Sequence, residues 1–216
     1  MADRLSLAVA AAIVGLLALV GCGSDSAGSD PVAPSTAGRE LAGIVRTPAP
    51  AVDATTLPSL TSPGDEVSFR AAPGGFLAVY FGYTNCPDVC PTTMADWAVA
   101  LRRLPPGLAE HVDTVMVTVD PDRDNDVLAG YVQSFVSTAR AAGTTDADLL
   151  AAAAEPFGVV YSVTTADDGD IEVEHSGFLY LVDDRGRLAV TWPFGTSSEE
   201  IAADVEQLFA AQEAGT

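Results

Sequence analysis

Residues Phe76 to Pro91 read FLAVYFGYTNCPDVCP. The first half, Phe76 to Tyr83, is nearly continuous apolar and aromatic, the pattern of a strand covered on both faces. The second half sets Cys86 and Cys90 where a helix should begin, because proline is favoured at a first helical position and Pro87 follows Cys86. From Thr92 to Arg103, Met94, Trp97, Ala98 and Leu101 recur at helical spacing. A buried strand that runs into a helix is the opening of an α/β unit.

The rest of the chain continues that pattern. Val112 to Val119 reads as a second buried strand, ending at Asp120-Pro121. Asp126 to Val136 reads as an amphipathic helix, Asp146 to Ala154 as a shorter one, and Val159 to Thr164 as an edge strand. Gly177 to Val182 and Leu188 to Trp192 flank the turn DDRGR and read as a hairpin. Ser197 to Gln212 reads as a closing helix, with Ser197 or Ser198 as its cap. Before Phe76, turn signals such as Ser62-Pro63-Gly64-Asp65 leave room only for short strands. The predicted class is α/β: a three-layer sandwich with a central mixed sheet flanked by helices, compatible with the thioredoxin fold. Sites in open sheets gather beyond the carboxyl ends of strands, which places Thr84 to Pro91 and Asp120 side by side.

The cysteine spacing poses the chemical question. With Cys86 at the cap and Cys90 one turn in, the two Cβ atoms would stand about 5–6 Å apart. A relaxed disulfide wants about 3.8 Å, whereas two sulfurs on one ion tolerate more. The spacing suits a bridging ion, and a disulfide stays open because Cys86 lies in a loop. A helix N-terminus favours the thiolate. Asp88 either works against that or caps the first turn. Two soft thiolates select copper(I) or zinc over calcium or magnesium. A third ligand must come from elsewhere, and the chain has two histidines, His111 and His175. His111, in LAEHVD, reads as a surface histidine. His175, in VEHSG, precedes a strand and can reach the motif across the fold.

Composition narrows the partners. The formal net charge is -20 over 216 residues, and no lysine is present. Such a surface repels phosphate backbones, so nucleic-acid binding is excluded as an expectation. The N-terminus has Arg4, an apolar run from Leu5 to Val20, and Leu19-Val-Gly-Cys22. That is the form of a secretory signal over 1–21, and the cysteine after Leu-Val-Gly resembles a bacterial lipobox. Cys22 would then carry lipid; the rival is an uncleaved anchor. Residues 22–40, rich in Gly, Ser, Pro and Ala, read as a flexible tether, and 41–212 as the folded domain. The expected location is the outer face of the bacterial cytoplasmic membrane.

FGYTNCPDVCP closely resembles the motif of the Sco/SenC family, VTVDPDRD (Val117 to Asp124) its strand-end segment, and EHSGFLYLVDDRGRL (Glu174 to Leu188) its histidine segment and hairpin. The resemblance runs from about Leu41 to Phe209. It implies a thioredoxin-like domain outside the membrane that binds one copper ion, as Cu(I) or Cu(II). It carries Cys86 and Cys90 over as thiolate ligands, His175 as the nitrogen ligand, and Asp120 as an aspartate that orients or tunes the site without ligating. His111 matches nothing in the family. The implied partners are the copper-centre subunit of cytochrome c oxidase and a copper donor protein. The implied role is assembly of the dinuclear copper centre, by copper delivery or by reduction of the target cysteines. The competing reading is a general thiol-disulfide oxidoreductase, with Cys86 attacking and Cys90 resolving. A peroxidase acting through Cys86 and a purely structural lipoprotein complete the alternatives.

Overall fold

A computed structural model describes residues 39–214. The signal, most of the tether and Cys22 lie outside the described residues. The elements in chain order begin with a short hairpin, β1 (Thr56–Pro58) and β2 (Glu66–Ser68). Then come β3 (Phe76–Gly82), α1 (Val89–Arg103), α2 (Pro106–Ala109) and β4 (Val112–Thr118). They are followed by α3 (Pro121–Asp124), α4 (Leu128–Phe135), β5 (Arg140–Ala142) and α5 (Ala147–Ala154). Last are β6 (Tyr161–Thr165), β7 (Ile171–His175), β8 (Leu179–Asp183), β9 (Leu188–Trp192) and α6 (Ser198–Ala214).

The central sheet has the order β5-β4-β3-β8-β9. β3, β4 and β5 run parallel, while β8 and β9 are antiparallel to their neighbours. This is the mixed sheet the sequence predicts. Every residue of β3 is buried, as its unbroken apolar run requires for a strand with helices on both sides. On one face Phe76 meets Phe209 of α6 edge-on at 4.8 Å, and Trp97 of α1 lies 6.3 Å from Trp192 of β9. On the other, Phe81 and Tyr180 pack against Phe157, with ring centroids 5.2 Å apart in both pairs. Trp97 buries its indole N–H against Thr114 Oγ1 at 2.9 Å, so the large ring leaves no unpaired donor.

The turn-rich segment before β3 covers both open edges of the sheet. Ile44 bridges Thr191 on β9, and Ser59 bridges Ala142 on β5. Unpaired edges invite association, so this arm protects the sheet. Its root is held by Asp204 of α6, which is fully buried. The carboxylate accepts from the amides of Ala42 (3.1 Å) and Gly43 (2.9 Å) and from Trp192 Nε1 (2.8 Å), and it pairs with Arg39.

Three expectations change. The strand expected at 159–164 is β6, but it lies at no edge of the central sheet: it pairs with β7, which the sequence reading did not name although IEVEH alternates apolar and acidic residues, and the two form a ribbon of their own. β5 was also unannounced, because three residues rich in alanine carry no periodic signal. The motif helix begins at Val89, with Asp88 as N-cap, so Cys86 and Pro87 precede it. Pro91 occupies the first turn, where the missing N–H costs nothing. Ser197 caps α6 as expected: its hydroxyl accepts from Glu200 N (3.3 Å) while the Glu200 carboxylate accepts from Ser197 N (3.1 Å).

Candidate metal centre

The site forms where three elements end. β3 delivers the motif loop at its carboxyl edge, and α1 starts there. β8 runs antiparallel to β3 with Leu179 opposite Tyr80. The chain entering β8 therefore passes the same edge, and it carries His175. Cys86 Sγ, Cys90 Sγ and one His175 ring nitrogen all lie within 4.8 Å of one another. Cys90 Sγ and His175 Nε2 are 3.3 Å apart.

The sulfurs do not meet by sharing a helical face. Cys86 turns back from the loop, and its Sγ accepts the Cys90 amide at 3.3 Å. It thus does the capping work that the Asp88 side chain leaves undone, since Asp88 makes no cap bond and accepts the Thr92 hydroxyl at 3.3 Å. The two thiols differ accordingly. Burial pushes Cys86 upward, but hydrogen bonds from the amides of Cys90 and Asp88 and from the Cys90 and Tyr83 side chains together outweigh it and leave the thiol below its ordinary range. Cys90 is fully buried, and burial pushes it up to about 12, beyond what the Tyr80 hydroxyl and the Tyr83 backbone offset.

His175 is prepared as a neutral donor. Burial lowers its pKa, partly offset by backbone contacts to Ser176 and Phe81. Its Nδ1 lies 3.2 Å from the Ser176 carbonyl, which can only accept, so Nδ1 carries the proton and Nε2 presents its lone pair toward Cys90. Tyr80 and Tyr83 stand edge-on to the imidazole at 6.1 and 5.6 Å and fix its plane. Tyr83 also donates to the Val173 carbonyl at 3.5 Å, tying the ribbon to the motif strand. Gly82 is required beneath the site: a Cβ there would stand 2.6 Å from Tyr80 Cε1 and 3.0 Å from Cys90 Sγ.

The donors fit a soft monovalent or borderline ion. Bonds of about 2.0–2.3 Å let one ion span donors roughly 4–4.6 Å apart, so the set closes on an ion with a few tenths of an ångström of movement. Two sulfurs and a nitrogen exclude calcium and magnesium by softness. A cleft of about 400 Å³ opens onto the site between Tyr83, Pro87, Val89 and Val173.

The remaining candidates separate. Asp120 is buried at the N-cap position of α3, where its carboxylate makes no cap bond and pairs with Arg123, while its amide donates to Thr118 Oγ1 at 2.9 Å. The acid that touches the motif loop is Asp124, which the sequence reading passed over. Its fully buried carboxylate accepts from Thr84 N (3.0 Å), Thr84 Oγ1 (2.5 Å) and Thr118 Oγ1 (2.7 Å). Its sequence cue is position alone, one helical turn after Asp120 in VTVDPDRD, and position does not mark it as buried. His111 is exposed just before β4, at the opposite end of the strands, about 20 Å from the site by strand length.

Fold and site together define a thioredoxin-like domain with a two-thiol, one-imidazole metal site at its sheet edge. The chain belongs to the SCO1/SenC family, whose profile matches residues 59–210. That family comprises copper-binding proteins of cytochrome c oxidase assembly. The human "Protein SCO2 homolog, mitochondrial" is 35% identical over 143 residues, 64% of this chain and 53% of that protein. The chain thus spans about half the length of this curated relative. The apo Sco1 protein from Thermus thermophilus has a TM-score of 0.61 at 28% identity, covering 82% of this chain and 98% of that one. Bradyrhizobium japonicum ScoI, solved with copper bound, has the same TM-score and identity over 73% of this chain and 99% of that one.

Proposed function

We propose that this protein carries one copper ion on Cys86, Cys90 and His175 and serves assembly of the dinuclear copper centre of cytochrome c oxidase, by delivering copper or reducing the target cysteines. The observation that carries this reading is the convergence of the three donors at an open cleft. Copper here is cargo, so the site must bind and release it. Cys86, half-buried and more acidic than an ordinary thiol, is the donor that an incoming thiolate reaches first. Cys90 and His175 are the anchored donors behind it. Asp120, paired with Arg123, is assigned to orienting or tuning the site rather than to ligation.

We place the domain on the outer face of the cytoplasmic membrane, with a signal over 1–21, lipid on Cys22 and a tether over 22–40 ahead of the domain at 41–212. The support is the sequence pattern of those residues; among the described residues no helix is long and apolar enough to cross a membrane. A copper donor protein would load the site. The test is metal analysis of the reduced full chain, then transfer to a purified oxidase copper domain. One copper per chain, lost in His175→Ala, supports the reading; unchanged affinity and spectrum in His175→Ala sinks it.

The unequal thiols favour a second reading, general thiol-disulfide exchange with Cys86 attacking and Cys90 resolving. It predicts that His175→Ala keeps reductase activity toward an unrelated disulfide.

A further inference from the structure

β6 and β7 pair only with each other and stand apart from the central sheet. From 162 to 172 every residue except Ala166 is exposed. Side chains of paired strands sort onto two faces with period two. The pairs Tyr161–His175, Val163–Val173 and Thr165–Ile171 define one face, and Ser162–Glu174 and Thr164–Glu172 the other. The face that bears His175 therefore runs outward as an apolar strip, and its tip is bare: Val163 is 44% and Ile171 40% exposed. Phe194, 47% exposed, lies beside Gly177, which also adjoins Val89 of the cleft.

The opposite face and the turn carry Asp167, Asp168, Asp170, Glu172 and Glu174, all exposed, and Asp88 stands on the cleft rim. None of these is ion-paired among the described residues. No arginine occurs between residues 141 and 184, and the chain has no lysine. The carboxylates are strung along a ribbon rather than converged on a point, and they border an apolar strip. That spacing suits a row of cationic side chains, not a single ion.

We infer that the β6–β7 ribbon is a docking arm for a cationic, cysteine-bearing polypeptide that takes copper from this site. The inference rests on the copper-carrying reading above. The apolar strip supplies contact and the acids supply steering. In the transfer, Cu(I) leaves Cys86, Cys90 and His175 for two thiolates of the partner. The protons given up by the partner's thiols pass to Cys86 and Cys90, with no change of oxidation state.

The probes are two synthetic peptides of equal length, each with one Cys-x-x-x-Cys pair and two leucines, one flanked by arginines and one by glutamates. The full chain, loaded with Cu(I), is mixed with each and transfer is followed by stopped flow. At low salt the arginine peptide should be faster by about tenfold or more, with the gap closing as salt is added. Neutralising the ribbon (Asp168→Asn, Asp170→Asn, Glu172→Gln, Glu174→Gln) should remove the preference. Neutralising four remote exposed acids (Glu66→Gln, Glu110→Gln, Asp113→Asn, Glu206→Gln) should retain it at the same net charge. Equal rates for both peptides in the unaltered chain overturn the inference, as does a preference that survives in the ribbon variant and vanishes in the remote one. Val163→Ser with Ile171→Ser should slow transfer to the arginine peptide at unchanged copper affinity; an unchanged rate removes the apolar strip from the dock. If the chain takes up no copper, the function reading fails by itself. The arm is then tested by anisotropy of the same peptides with alkylated cysteines, where equal binding by the ribbon and remote variants overturns it.

Discussion

Replacing Asp124 by alanine removes the buried carboxylate that holds Thr84 at the start of the motif loop. Three donors lose their acceptor: Thr84 N, Thr84 Oγ1 and Thr118 Oγ1. The amide cannot turn away, and a bond from it to a charged acceptor contributes about 1.5–3 kcal/mol. The two hydroxyls can rotate toward other acceptors, so they count at the neutral rate of about 1 kcal/mol each. The expected loss is about 3–5 kcal/mol, read as a drop in the urea midpoint of the reduced, copper-free full chain at constant slope. Asp124→Asn keeps the shape and an oxygen for the Thr84 amide, so it should lose clearly less. Because Thr84 is two residues from Cys86, copper affinity should also fall, by about 10–100-fold as for other residues that orient ligands. A loss below about 1 kcal/mol for the alanine variant, or asparagine as damaging as alanine, would refute the assignment of Asp124 as the anchor of this loop.

Four further outcomes are expected. Iodoacetamide should modify Cys86 first, with a rate that rises with pH from below the ordinary thiol range near 8.5; equally fast labelling of Cys90, which is buried and pushed up to about 12, contradicts the asymmetry. Because the folded Cys90 pKa is raised, its contribution to stability is present below the unfolded value and lost as pH rises. The reduced protein should therefore weaken between about pH 9 and 12, and Cys90→Ala should flatten that decline in pH-dependent urea melts. Gly82→Ala forces a methyl against Tyr80 and Cys90, so a stability loss of about 1–3 kcal/mol and a changed copper spectrum are expected; an unchanged melt and spectrum speak against the close fit. Asp204→Ala should release the segment from Arg39 to Gly43, visible as faster amide exchange at Ala42 and Gly43, and unaltered exchange there would show another anchor.

Much of the molecule was legible because its signals are local. β3 and β4 announce themselves by unbroken apolar runs, the Ser197–Glu200 box marks the start of α6, and DDRGR marks the hairpin. β7 was legible but passed over: Ile171-Glu172-Val173-Glu174 alternates apolar and acidic side chains with period two, yet the strand is short and stands next to a turn rich in aspartate. Asp124 was missed because one aspartate in a charged run looks like any other until its burial is known.

The sequence by itself determined the α/β class and the placement of the cysteines between a strand and a helix, since period and spacing are written along the chain; it left His175 open as a third donor, and the family resemblance selected it. Only the tertiary structure decided how those donors meet. Cys86 lies outside the helix and caps it with sulfur, β8 lies beside β3 so that His175 arrives at the same edge, and Asp124 rather than Asp120 holds the loop. Those facts depend on residues far apart in the chain sharing one buried space, where an amide, a thiol and a carboxylate must each find a partner, and no local pattern encodes which partner that is.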